Sequence, residues 1–240
     1  MKQPAFDTYE YIGIITPGAV LLTVLMLLFP EMRSQIGGKE GIQLGGLGIF
    51  LILSFVLGNV VQSLGYVVVW LEKKLFDGNA SEHLLNPACT IINRKQRADL
   101  KIALLGRLGA DLDNLTPAEW RTTRTEMYGL VNAASKSERI DAFNRSYSLN
   151  KGLSAVFFVS GVLVLIIASQ PSIWGVVLAA GSGLSFVRMR WFSECYTREL
   201  VLQFIRTCET ASPKEQPSMQ IRYENPAGQT LPAIRILPSF

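Results

Sequence analysis

Four long stretches of the chain are apolar and contain no charged residue or histidine. An α-helix rises about 1.5 Å per residue, so crossing a hydrocarbon core of about 30 Å takes about 20 residues. The pattern predicts four membrane-spanning helices, the second long enough to tilt or project. A buried hairpin of a soluble core is the alternative for the last two, which only residues 170–171 separate. The four stretches are Ile12 to Phe29, Leu44 to Leu71, Leu153 to Ser169 and Ser172 to Val187.

The basic residues predict the side of the membrane on which each loop lies. Residues 73–150 hold twelve Lys and Arg against nine Asp and Glu, whereas the loop at 30–43 is balanced and the 170–171 turn carries no charge. Lys and Arg concentrate in cytoplasmic loops of membrane proteins. We therefore expect the 73–150 segment and both chain termini in the cytoplasm.

The polar regions beside the spans predict further helices. Apolar residues recur at helical spacing from 93 to 108, and Gly109 is a typical helix end. Thr116 and Glu119 form a capping box with Pro117 at the first helical position. The predicted helices are 93–108, 117–133, one from Glu138 that continues into the third span, and one from Met189 to Thr207 that continues from the fourth.

These patterns predict an all-α membrane protein with a Pro-rich C-terminal tail. Five of the eleven prolines lie in the tail, which excludes a long helix there. The alternatives for the tail are disorder and a short hairpin or strand pairing with a neighbouring subunit. The predicted regions are 1–72 with transmembrane helices 1 and 2, 73–150 as a cytoplasmic helical insertion, 151–187 as a transmembrane hairpin, 188–211 as a cytoplasmic helix, and 212–240 as an extended tail.

Composition narrows the classes of function. With 49% hydrophobic and 18% charged residues, most of the chain is too apolar to be disordered, and three widely spaced cysteines exclude a disulfide-stapled secreted module. A net charge of +4 does not by itself indicate nucleic-acid binding. The only histidine, His83, has no second metal ligand nearby in sequence. We expect no enzymatic activity, metal site or cofactor.

The second span carries one polar stripe at helical spacing, formed by Asn59, Gln62, Ser63 and Tyr66. Polar residues at membrane depth rarely face lipid. Either these side chains hydrogen-bond to neighbouring helices, or they line a narrow pore in an oligomer. Because the spans contain no Asp, Glu, Lys, Arg or His, a proton-coupled transporter is disfavoured.

The fourth span has a face of small residues, Gly175, Ala179 and Gly183, spaced four apart. Small residues at this spacing let another helix approach closely. We interpret this face as a helix-packing surface.

One dense basic cluster lies in the predicted cytoplasmic segment, formed by Arg94, Lys95, Arg97 and Lys101. Cations beside a membrane commonly contact anionic lipid headgroups, but they also suit a nucleotide or oligonucleotide ligand. A solvated surface is the third interpretation, and the sequence leaves all three open.

Three segments resemble parts of uncharacterised four-helix inner-membrane proteins of bacterial anti-phage defence neighbourhoods. The resemblance implies a multi-pass protein of the bacterial inner membrane that acts as an effector. A cytoplasmic partner would sense infection, and the membrane subunit would then open or disrupt the membrane. The segments are Phe6 to Tyr11 followed by Thr16-Pro17-Gly18-Ala19, Leu57 to Gly65, and Phe192 to Leu200.

Two functional hypotheses follow from the residues and the resemblance together. The first is a homo-oligomeric, channel-like or membrane-disrupting effector, gated from the cytoplasm by a partner protein or a nucleotide or oligonucleotide signal. The second is a non-conducting membrane scaffold that recruits a soluble defence enzyme. A membrane-embedded enzyme would have to use His83 or one of the three cysteines.

Overall fold

The computed structural model describes residues 8–32, 44–76, 78–167 and 173–210, and every regular element in these ranges is helical. The all-helical fold predicted from the sequence is confirmed for these residues. The predicted 170–171 turn, the 212–240 tail and most of the 30–43 loop lie outside them. The elements are α1 (Thr8–Leu28), α2 (Leu44–Phe76), a short 3-10 helix (Glu82–Leu85), α3 (Arg94–Leu108), α4 (Pro117–Ala133), α5 (Glu138–Ile167) and α6 (Ile173–Thr210).

Three of the described helices are long and apolar enough to cross a membrane, over Tyr11–Leu28, Gly45–Phe76 and Glu138–Ile167. They contain most of the first three predicted spans, as expected of a membrane protein. The predicted fourth span forms the first part of α6 and is not among the three. An 18-residue window from Ile173 already includes Arg188 and Arg190, which lower its mean hydropathy.

α5 occupies the centre of the bundle of long helices. It packs most extensively against α6 and also against α1 and α2, while α1 packs on α2. Most of its buried residues are small, and small residues allow close approach of helices where lipid supplies no hydrophobic driving force. Within the bundle they are Asn150, Gly152, Ser154, Ala155, Val156, Ser160, Gly161 and Val164.

α1 and α2 approach each other so closely that their contact requires glycine at two positions. A Cβ atom on Gly18 would lie 1.7 Å from the backbone oxygen of Ser54. A Cβ atom on Gly58 would lie 2.0 Å from the backbone oxygen of Ile14. Both distances are shorter than any nonbonded contact, so a larger residue at either glycine must push the two helices apart.

The small-residue face predicted on the fourth span is divided by the structure. Gly175 is buried, and a Cβ there would lie 3.1 Å from Cδ2 of Leu165 on α5. The backbone nitrogen of Ala179 also faces α5, beside Gly161, whereas Gly183 has open space around it. Of the three predicted positions, only Gly175 is buried, while Ala179 and Gly183 are exposed.

A helical cap, defined here as residues 78–140 with residues 195–208 of α6, covers one end of the bundle. α5 and α6 run without a break from the apolar bundle into the cap, as the sequence predicted, and α3 and α4 both pack against α6. Side chains from all four helices are buried together in one core, and this makes the cap a single packed unit. Its core contains Leu84, Ile92, Leu100, Leu104, Leu112, Trp120, Met127, Val131, Ile140, Leu200, Val201, Phe204 and Ile205.

The ends of the cap helices follow from local sequence. The Thr116 hydroxyl accepts from the Glu119 amide at 3.3 Å, and the Glu119 carboxylate accepts from the Thr116 amide at 2.9 Å, which confirms the predicted capping box. The hydrogen bond from the Thr116 backbone amide, with the one from its hydroxyl, holds the pKa of Glu119 below its usual value. Gly109 ends α3 with a φ of 64°, a conformation that glycine adopts without strain.

Candidate functional site

α2 buries one face against the rest of the bundle, and the positions on that face alternate in steps of four and three residues. This spacing keeps them on one side of a helix. The opposite side of α2 is therefore turned away from the core of the helices that the structure describes. The buried positions are Ser54, Gly58, Val61, Gly65, Val68 and Glu72.

Three of the four predicted stripe residues, Asn59, Ser63 and Tyr66, lie on this opposite side and are exposed. Asn59 Nδ2 donates to the backbone oxygen of Phe55 at 2.8 Å, and Ser63 Oγ donates to the backbone oxygen of Asn59 at 3.2 Å. Both side chains thus use a donor within their own helix. The amide oxygen of Asn59 and the lone pairs of the Ser63 hydroxyl remain able to accept from a group outside the chain.

Gln62, the fourth stripe residue, has a different role, because it joins α2 to α1. Its Nε2 donates to the backbone oxygen of Gly13 at 3.1 Å. That oxygen needs a partner because the residue four positions later is Pro17, which has no N–H to donate. In hydrocarbon an unpaired carbonyl is costly, so the Gln62 amide replaces the hydrogen bond that proline removes.

Lys151 on α5 lies at the end of the stripe that is nearer the cap. Its Nζ is 5.4 Å from the centroid of the Tyr66 ring, within the range of a cation–π contact. Its stem passes Gly65, where an added Cβ would lie 3.0 Å from Lys151 Cε. The sequence pattern did not single out Lys151, because it precedes the third uncharged stretch. The only indication of a role for Lys151 in the sequence is that it is the last cation before that stretch.

A buried ion pair joins the end of α2 to α6. Glu72 is only 1% exposed, and its Oε1 lies 3.4 Å from Arg190 Nη1. Arg190 also lies 3.5 Å from a Glu194 carboxylate oxygen and 4.1 Å from the centroid of the Phe76 ring. Removing one partner would leave the other charge buried and unpaired, which typically costs about 3–5 kcal/mol. The sequence pattern did not indicate this pair, because Glu72 directly follows the second uncharged stretch.

Glu82 connects α2 to the cap. Its Oε1 lies 3.3 Å from Lys73 Nζ on α2 and 3.3 Å from Arg121 Nη2 on α4, while Oε2 accepts from the Asn79 amide at 3.2 Å. Burial alone would raise the pKa of Glu82, but the hydrogen bonds from Asn79 and Lys73 outweigh it and the pKa lies below its usual value. The carboxylate is thus ionised at neutral pH and bridges two elements.

The structure divides the predicted basic cluster on α3. Arg97 donates to the backbone oxygens of Leu84 and Asn86 at 2.7 and 3.0 Å, and thereby fixes the loop before α3. Lys101 pairs with Asp113, and the hydrogen bond from this lysine is the main reason that the pKa of Asp113 is lowered.

The other two cations of the cluster, Arg94 and Lys95, are exposed at the start of α3. On the same helix Ile102 and Leu105 are 73% and 62% exposed. The outer surface of α3 thus combines two cations with two apolar side chains. Among the residues that the structure describes, its exposed, unpaired basic residues are two, whereas the sequence suggested a cluster of four.

No protein-family model, curated protein or solved structure matches the chain. The proposed function is therefore inferred from the side chains around α2. These side chains comprise an outward-facing polar stripe and two carboxylates, Glu72 and Glu82, that connect the end of the same helix to α6 and the cap.

Proposed function

We propose that the chain is the subunit of a homo-oligomeric membrane channel in which α2 of each copy contributes its polar stripe to a path across the membrane. The observation that carries the proposal is the exposure of Asn59, Ser63 and Tyr66 on the side of α2 opposite its buried face. Polar groups facing lipid lose hydrogen bonds to water, which costs free energy. Several copies that turn their stripes toward a common axis remove this cost.

In this proposal the chain crosses the membrane four times, with both termini and the cap in the cytoplasm. The first part of α6 supplies the fourth crossing, since it pairs with α5 at membrane depth. Ser154 Oγ donates to the Ser182 backbone oxygen at 3.2 Å, and Ser182 Oγ donates to the Ser154 backbone oxygen at 3.0 Å. The excess of Lys and Arg in residues 73–150 supports a cytoplasmic cap.

The cap controls the path through its attachment to α2. Glu82 bridges Lys73 of α2 and Arg121 of α4, and a signal that displaces α4 therefore displaces the end of α2. We place the signal, a partner protein or a nucleotide or oligonucleotide, on the cap. The resemblance to membrane proteins of defence neighbourhoods supports an effector role against phage, acting by loss of the membrane barrier.

Conductance of the purified full chain in planar bilayers tests the channel proposal. Glu82→Lys places a third cation beside Lys73 and Arg121, so it releases α2 from the cap without an added signal. We expect Glu82→Lys protein to conduct, and Asn59→Leu in that background to lower the single-channel conductance several-fold. Val60→Leu is the matched control, because Val60 is exposed beside the stripe and already apolar.

Two results would contradict the proposal. One is a Glu82→Lys protein that inserts and oligomerises without conducting, with Arg121→Glu giving the same result. The other is an Asn59→Leu protein whose conductance equals that of Val60→Leu.

A scaffold that recruits a soluble enzyme is the second candidate. The observation that favours it is the outer surface of α3, where Ile102 and Leu105 are exposed beside Arg94 and Lys95. Exposed apolar side chains bordered by charge are typical of protein contacts. If the chain is a scaffold, Ile102→Glu prevents recruitment of the enzyme, and no variant makes the bilayer permeable. If the chain is a channel, Glu82→Lys protein conducts even when it also carries Ile102→Glu.

A further inference from the structure

The cap-side end of the stripe carries a positive charge. The Lys151 ammonium lies over the Tyr66 ring, and Tyr66 is the last stripe residue in that direction. Gly65 makes this possible, because its missing side chain leaves the space through which the lysine stem reaches α2. Two helices thus cooperate to place one ammonium group at a defined position.

No carboxylate offsets this charge among the residues that the structure describes. None of their salt bridges includes Lys151, and its ammonium contacts an aromatic ring instead. Glu72, two turns further along α2, is already paired with Arg190. The Lys151 ammonium is therefore a positive charge at the end of the stripe that no described carboxylate neutralises.

We propose that Lys151 makes the path selective for anions, with chloride-sized inorganic anions as the permeant class. The inference rests on the proposed channel function and adds the class of ion to it. In a symmetric oligomer every copy contributes one Lys151, and together they form a ring of cations at the cytoplasmic mouth. Rings of Lys or Arg attract anions and repel cations in pores. The uncharged residues of the stripe, Asn59 and Ser63, supply no opposing charge deeper in the path.

Reversal potentials in a sodium chloride gradient test the proposal. The channel opened by Glu82→Lys is recorded in bilayers of zwitterionic phosphatidylcholine, so that lipid charge does not contribute. We expect chloride to be favoured, and Lys151→Gln to lower the chloride-to-sodium permeability ratio about tenfold, the order of effect of a close charge contact in aqueous surroundings. Lys151→Glu should reverse the preference, and Lys151→Arg should retain it.

Arg188→Gln is the matched control. Arg188 is an exposed cation on α6, and its guanidinium lies over Phe192 of its own helix. Its replacement removes the same charge from the same end of the bundle and should leave the permeability ratio unchanged.

The outcomes separate this inference from the channel function. If the conducting Glu82→Lys protein keeps the same permeability ratio after Lys151→Gln and after Lys151→Glu, the inference alone is overturned, and Lys151 becomes an interfacial anchor to lipid headgroups. Equal shifts from Lys151→Gln and Arg188→Gln also overturn it, since a diffuse surface charge would then set selectivity. A protein that never conducts overturns the channel function itself.

Discussion

The hydrogen bond from Gln62 to the Gly13 carbonyl gives the sharpest test of how the bundle is held together. Gln62→Leu removes the donor and leaves that carbonyl unpaired, because Pro17 offers no N–H. An unsatisfied buried polar group costs about 1–3 kcal/mol. Interhelical hydrogen bonds in membrane proteins average about 0.6 kcal/mol, with a maximum of about 1.7 kcal/mol. We therefore expect Gln62→Leu to lower the free energy of unfolding by about 1–2 kcal/mol.

A second substitution makes the prediction specific. Pro17→Ala restores an N–H four residues after Gly13, so the carbonyl can be satisfied within α1. In the Pro17→Ala background Gln62→Leu should cost less than about 0.5 kcal/mol, and the coupling energy of the double-mutant cycle should be about 1 kcal/mol. The packing that is lost with the proline ring cancels in the cycle, because both proteins that carry Pro17→Ala lack this ring.

Reversible unfolding in mixed detergent micelles, followed by circular dichroism, measures the four free energies. Asn59→Leu in both backgrounds is the control, because the Asn59 amide donates within α2, to Phe55, and not to α1. Its effect should be the same with Pro17 or with alanine in its place. Equal costs of Gln62→Leu in the two backgrounds would show that Gln62 does not replace the hydrogen bond that Pro17 removes, and Gln62 would then be a packing residue.

Three further predictions concern packing and charge. Gly58→Ala should separate α1 from α2 and lower stability by about 1–3 kcal/mol. Gly48→Ala should not lower stability, because no atom lies within 4 Å of the new Cβ. Equal melting temperatures of the two variants would contradict this prediction. Leu104→Ala should cost about 2–5 kcal/mol because the side chain is fully buried in the cap, and a similar loss in Leu105→Ala, at an exposed position, would argue against the described core. Glu82→Gln should cost about 1 kcal/mol at pH 7. Since the pKa of Glu82 is lowered by folding, its contribution is present above the usual carboxyl pKa and lost as pH falls through the folded value. The melting temperatures of wild type and Glu82→Gln should therefore converge in acid, and a constant difference would contradict the ion pair.

The sequence predicted the parts of the fold that depend on local pattern. The Thr116 capping box, the Gly109 helix end and the continuity of α5 through the polar and apolar regions all follow from short-range rules. The sequence also predicted a polar stripe on α2. It left open whether Gln62 hydrogen-bonds to a neighbouring helix or lines a pore. It did not identify the Gly13 carbonyl as the acceptor, although Pro17 indicates that this carbonyl is unpaired, because the two residues are 49 positions apart along the chain.

Charges at the borders of the spans were the main omission. Lys151 and Glu72 each lie within two residues of an uncharged stretch, and a prediction based on whole stretches assigns them to solvent. Their surroundings depend on which helix lies beside them, and that is set by close contacts such as Gly65 with the Lys151 stem. Local patterns carry no information about such long-range contacts.

Cysteine scanning of α2 tests whether the outward side of this helix lines the path. Single cysteines from 56 to 68 are introduced into a protein that lacks Cys89, Cys195 and Cys208, and a membrane-impermeant, charged thiol reagent is applied during conductance recordings. If the stripe lines the path, modification at 59, 63 and 66 changes the current, while cysteines replacing the buried Val61 and Val68 do not react. Unreactive cysteines at all three stripe positions in a conducting protein would contradict this prediction.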